Sequence, residues 1–127
     1  MLFGMSSSYA PPGWPDRVRP PGAPHWEADA VAYLFDCCPA DFRAYVVLRN
    51  HPVVLAQFAS QFVAGQTRAM QEGLAAARTS LQDYVEPRVL EDATQAWLEQ
   101  AARLVRTRRA VALINEALRG TTFKPRL

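Results

Sequence analysis

The side chains best equipped for recognition chemistry lie near the C-terminus, as Arg103, Arg106, Arg108 and Arg109. Arg103, Arg106 and Arg109 follow three-residue steps, so a helix would set them along one face. Guanidinium forks grip carboxylates and phosphates bidentately, and such a face can track a nucleic-acid backbone. It can equally stay solvated or meet an acidic protein surface. Glu99 stands four residues before Arg103, the favourable orientation for an ion pair within a helix. No aromatic residue interleaves the arginines, so the stacking platform used on single strands is missing. The helices read below are too long for a helix-turn-helix. A protein contact is the better reading, with nucleic acid as the alternative.

Nucleophiles and acid–base groups are few. Cys37 and Cys38 are adjacent, and a disulfide between neighbours strains the intervening peptide, so no disulfide framework is expected. No C-x-x-C occurs, and His25 and His51 do not complete a zinc-like spacing. Two small semi-apolar residues closing a packed helix account for the cysteines. His25 and Glu27 are two apart, and residues so spaced do not face each other on a helix. His51 precedes Pro52 at a helix junction. Asp29 and Asp36 share a helix face, about 10 Å apart by helical rise, too far to hold one cation alone. With Asp41 they read as a solvated face. No nucleophile elbow, P-loop, dinucleotide fingerprint or H-E-x-x-H is present. These absences predict neither enzyme, cofactor nor metal site.

Composition sets the frame. The chain has 127 residues, 50% of them hydrophobic, enough for one domain with a modest core. Fourteen basic residues face twelve acidic ones, a net charge of +2 that announces neither a polyanion binder nor an acidic tail. Lys124 is the only lysine, a skew that fits a coding bias toward G and C. No apolar run approaches a membrane span. The opening MLFGMSSS lacks a basic segment, and its apolar stretch is too short for a secretion signal, so a cytoplasmic setting is expected.

Proline and helical periodicity then lay out the elements. Six of the ten prolines fall in 11–24, which excludes helix and central strand and predicts an extended, polyproline-like arm over 1–23. Trp14 and Val18 are apolar and would anchor that arm on the domain. After Pro24, Trp26, Ala30, Tyr33, Leu34 and Cys37 recur at helical spacing, giving a helix over about 24–37. Pro39 opens a second over about 39–50. Leu55, Phe58, Phe62, Met70, Leu74, Ala77, Leu81 and Tyr84 mark a long helix over 52–86, through Gly65 and Gly73. Leu90, Ala93, Trp97, Ala101, Leu104, Val111, Ile114 and Leu118 mark another over 87–119, stopped by Gly120. Residues 121–127 form a loose tail, although Phe123 can dock.

If the two long helices fold back at Pro87, Ala77 faces Trp97, Leu81 faces Ala93, and Met70 faces Leu104. Large meets small in the first two of these pairs, as interdigitation requires. The alternative is one kinked helix needing a partner chain. The expected fold is therefore all-α. A long antiparallel hairpin (52–86 and 87–119) is capped at its open end by the two short helices. These cover Val53, Val54, Phe58, Phe62, Leu113 and Leu118, and 24–120 forms one domain.

The stretches PPGWPDRVRPPGAPHWE (11–27) and AVAYLFDCCPADFRAYVVLRNHPVVLA (30–56), with the closing ALRG, resemble a small uncharacterised family of helical actinobacterial proteins. The resemblance implies a bacterial cytoplasmic protein and carries over no activity and no functional residue. The expected function is a non-catalytic protein–protein interaction or assembly module. Arg103, Arg106 and Arg109, or Tyr84 and Val85 near the hairpin tip, would be its partner-binding residues. The partner is an unidentified protein or a second copy. Nucleic acid ranks below both, and no membrane is expected.

Overall fold

We describe a computed structural model of the chain over residues 9–126. The first part of the predicted arm, residues 1–8, lies outside the described residues. The elements are α1 (Trp26–Asp36), a 3-10 segment (Ala40–Ala44), α2 (Val46–Asn50), α3 (Pro52–Leu81) and α4 (Pro87–Leu118). No strand occurs among the described residues. α3 and α4 pack against each other as an antiparallel hairpin, and the short helices sit at its N-terminal side. The chain reverses at 82–86, so the single-kinked-helix alternative falls away.

The predicted boundaries move for local reasons. α1 begins at Trp26 and not at Pro24, because His25 adopts left-handed backbone (φ 67°) and cannot continue a right-handed helix. The expected helix over 39–50 is two pieces. Tyr45 is extended (ψ 108°) between the 3-10 turn and α2, and the β-branched pair Val46 and Val47 follows it. α3 stops at Leu81 and not at Glu86. Glu86 is extended (ψ 149°), as the residue before a proline must be, and the reversal consumes the four residues before it.

That five-residue turn resets the hairpin register. Residues equidistant from it pair six positions earlier in α3 than a fold at Pro87 alone gives. Trp97 therefore lies over the turn from Met70 to Gly73, not over Ala77: its ring sits on Gly73 and its indole N–H donates to the Met70 carbonyl at 3.0 Å. A Cβ at Gly73 would stand 3.0 Å from the indole, so this helix-weakening glycine is where the aromatic ring seats. Large still meets small, at a different pair.

The core collects at the open end. Leu55, Ala56, Ala59 and Val63 of α3 meet Val111, Leu113, Ile114 and Ala117 of α4. Ala30, Leu34 and Phe35 of α1 and Leu48 of α2 close over them, with Trp14 and Val18 of the arm. The short helices cover this end incompletely. Leu113 is buried, but Val53, Val54, Phe58 and Phe62 each remain 38–39% exposed.

The arm packs as expected, in an unexpected conformation. It is not an extended polyproline segment. Three successive turns close it, with Trp14, Val18 and Ala23 donating to the carbonyls of Pro11, Pro15 and Pro20. Gly13 and Gly22 supply the positive φ angles. The Trp14 indole donates to the Val18 carbonyl at 2.9 Å and stacks near Trp26 and Phe123, which docks the tail. Asp29 and Asp36 are not merely solvated. Asp29 accepts the Arg19 amide, and Asp36 pairs with Arg17 of the arm and Arg43 of the 3-10 segment.

Candidate functional site

Trp14 fixes the path of the arm, and that path builds one wall of the arginine site. Gly13 crosses α4 so closely that a Cβ there would fall 2.7 Å from Cγ of Arg109. Only glycine combines that approach with φ 95°. The Arg109 stem is thereby pinned beneath the arm. Arg103, Arg106 and Arg109 all border the resulting groove of about 550 Å³, opposite residues 13–16, and Val105 also lines it. The three arginines are exposed and make no ion pair among the described residues. The expected Glu99–Arg103 pair does not form. Three unpaired guanidinium groups on one groove, with Asp16 as its only carboxylate, favour an anionic surface as occupant.

Arg103 also reaches a second, larger cleft of about 940 Å³ between the end of α1, α3 and α4. Tyr33, Cys37, Gln66, Gln100 and Thr107 line it. Burial pushes the Cys37 thiol up to about 11, helped by neighbouring Cys38, while Arg17 opposes the shift. Tyr33 and Cys38 are raised too, chiefly by burial. Both thiols are free, and a raised pKa leaves little thiolate for nucleophilic attack.

A thiol raised from 9.0 to about 11 carries roughly a hundredfold less thiolate at neutral pH. In a Cys38→Ser variant, which keeps the burial of Cys37 but loses the neighbouring thiol, iodoacetamide should alkylate Cys37 on the order of tenfold faster in denaturant than in the folded protein. Equal rates would mean that Cys37 is not desolvated. Because the fold holds the proton more tightly than the unfolded chain does, stability should fall as pH rises from 9.0 to about 11.

Tyr84 and Val85 lie at the far end of the hairpin, in the turn. Tyr84 is 83% exposed, and Val85 is half-buried. Helical rise puts Pro87 about 24 Å from Arg103, so tip and arginine groove are separate surfaces. The structure brings the three arginines together and leaves Tyr84 and Val85 apart from them.

Two apolar surfaces escaped the sequence reading. Leu98 and Val105 project from α4, beside a groove of about 310 Å³ floored by Met70, Leu74 and Trp97. Each directly follows an inward residue, Trp97 or Leu104, so the stripe hid them. At the open end, Phe42 packs edge-on against Tyr45, Phe58 and Phe62, with centroids 5.4–6.3 Å apart. The half-exposure of Phe58 and Phe62 was invisible because the cover was assumed complete.

Among the described residues no three His, Cys, Asp or Glu side chains gather as a metal site, and no helix is long and apolar enough to cross a membrane. No protein-family model, curated protein or solved structure matches the chain significantly.

Proposed function

We propose that the protein is a non-catalytic protein–protein interaction module of the bacterial cytoplasm, presenting the free length of its hairpin. One observation carries this reading. Beyond Val63 on α3 and before Ala110 on α4, no side chain is buried among the described residues. Two helices cannot enclose a core by themselves, so this half of the hairpin holds its apolar residues against solvent on both sides. Leu98 is 49% exposed and Val105 is 64% exposed. An uncovered apolar face of this extent marks an interaction site. The unpaired arginines border it and supply a charged rim, where complementarity sets the choice of partner.

The test is capture by the tagged chain from an actinobacterial extract, with and without nuclease, read by mass spectrometry. Leu98→Asp and Arg106→Glu serve as surface variants. Protein capture should survive nuclease and be lost in both variants. Capture unchanged by Arg106→Glu would remove the arginines from the surface. The second reading, a nucleic-acid accessory protein, is favoured by the same unpaired arginines. It requires capture that vanishes on nuclease treatment and falls steeply with salt.

A further inference from the structure

The arginine groove and the larger cleft form one path. Tyr33, Arg103 and Thr107 line both, so the two openings meet at these side chains. We infer that this path binds an acidic segment of a partner protein in extended conformation, with its carboxylates on Arg103, Arg106 and Arg109 and its backbone continuing past Gln66 and Gln100. The inference rests on the reading of the protein as an interaction module and names the chemistry of the partner.

Charge sets the sign of the occupant. Arg103, Arg106 and Arg109 are exposed and make no ion pair among the described residues. Two carboxylates line the path, Asp16 and Asp36. Asp36 is already held by Arg17 and Arg43. Asp16 alone cannot balance three guanidinium groups, so an anionic chain meets complementary charge here.

The neutral lining favours a peptide among anionic chains. From Gln100 to Ala110 the helix rises about 15 Å, the length of about five extended residues. Alternate residues of an extended strand stand about 7 Å apart, and α4 rises about 9 Å from Arg103 to Arg109, so carboxylates two residues apart match long arginine side chains. Gln66 and Gln100 each offer a donor and an acceptor. A peptide backbone uses both, whereas a phosphodiester only accepts. Pro15, Val105 and Ala110 are apolar and suit an apolar side chain between two acids. Nucleic acid lacks a stacking platform on this path. Trp14 is buried, and the Arg17 guanidinium lies over the Tyr33 ring at 4.7 Å from its centroid.

The test is amide NMR of the full-length chain, titrated to millimolar concentration with the hexapeptide Glu-Leu-Glu-Leu-Glu-Leu. Physiological salt screens charges more than about 8 Å away. Amides of 13–16 and 100–110 should shift and saturate at one peptide per chain, while those of 82–90 stay still. Replacing the three glutamates of the peptide by glutamine should weaken binding about tenfold or more. Arg106→Gln should weaken it about threefold or more, with an unchanged helical spectrum because the side chain is exposed. Arg88→Gln, equally exposed but near the hairpin tip, should leave it unchanged. Asp16→Asn removes the competing carboxylate and should tighten binding about twofold.

No saturable shift overturns the inference. Equal losses in Arg106→Gln and Arg88→Gln do so too, because they mean diffuse attraction between charges. Oligothymidylate moving the same amides at lower concentration than the peptide overturns it in favour of nucleic acid. Capture from extract that depends on Leu98 but not on Arg106, with no peptide binding, overturns the acidic occupant while the interaction module stands. Peptide binding without Leu98-dependent capture supports the acidic occupant and removes the bare hairpin face as the interaction surface.

Discussion

Trp14→Ala should cost about 3–5 kcal/mol and release the arm, a large share of the roughly 5–15 kcal/mol that holds a domain of this size. Trp14 is 8% exposed, although it stands in a proline-rich segment with no regular structure. Its ring packs against Trp26 and Phe123, with centroids 6.0 and 6.3 Å away, so one truncation unseats arm, α1 and tail together. It also removes the indole that satisfies the buried Val18 carbonyl. The ion pair of Arg17 with Asp36 is a different kind of tie. Its side chains are 56% and 44% exposed, so Arg17→Ala should cost less than about 1 kcal/mol. Urea melts of the two variants measure the difference. Limited proteolysis within 11–24 should cut Trp14→Ala quickly and leave Arg17→Ala resistant. A Trp14→Ala midpoint equal to that of the parent protein would mean that burial does not hold the arm.

The second large effect follows from the uneven core. Ile114 is fully buried among residues of α1, α3 and α4, and Ile114→Ala should cost about 2–5 kcal/mol. Leu98→Ala, on the same helix, should change the monomer by less than about 0.5 kcal/mol, because Leu98 gives up little burial. The helix therefore has a firm end and a loose end. Amides of 64–81 and 87–109 should exchange through partial opening, while those near Leu55 and Ile114 should exchange only with global unfolding. Equal costs for the two substitutions, or uniform exchange along α4, would contradict a core confined to the open end.

The arginine groove also shows how a site can be half written in a sequence. Three-residue spacing was enough to place Arg103, Arg106 and Arg109 near one another on α4. It did not show the opposite wall, because residues 13–16 are some ninety positions away in the chain. The contact of Gly13 with Arg109 depends on a positive φ and on the seating of Trp14, and neither has a local signature on α4. The absent Glu99–Arg103 pair has the reverse lesson. Correct spacing permits an ion pair, but on an exposed face water competes and side-chain entropy opposes it.

The helices themselves were legible by sequence alone. Apolar residues at steps of three and four, punctuated by Pro39, Pro52 and Pro87, determine which segments are helical and roughly where they stop. These are local preferences of backbone and periodicity. The antiparallel hairpin follows from the same pattern, because two long apolar stripes joined near a proline bury each other by folding back. Tertiary structure alone decided the rest. The number of residues spent in the reversal set the register and put Trp97 on Gly73. Packing against α4 and α1 turned a proline-rich arm into three tight turns keyed by Trp14. The length of the covering helices determined that Val53, Val54, Phe58 and Phe62 stay half exposed and that the hairpin beyond Val63 stays bare. Each of these depends on which surfaces remain after the long-range contacts are made, and periodicity within one segment carries no record of that.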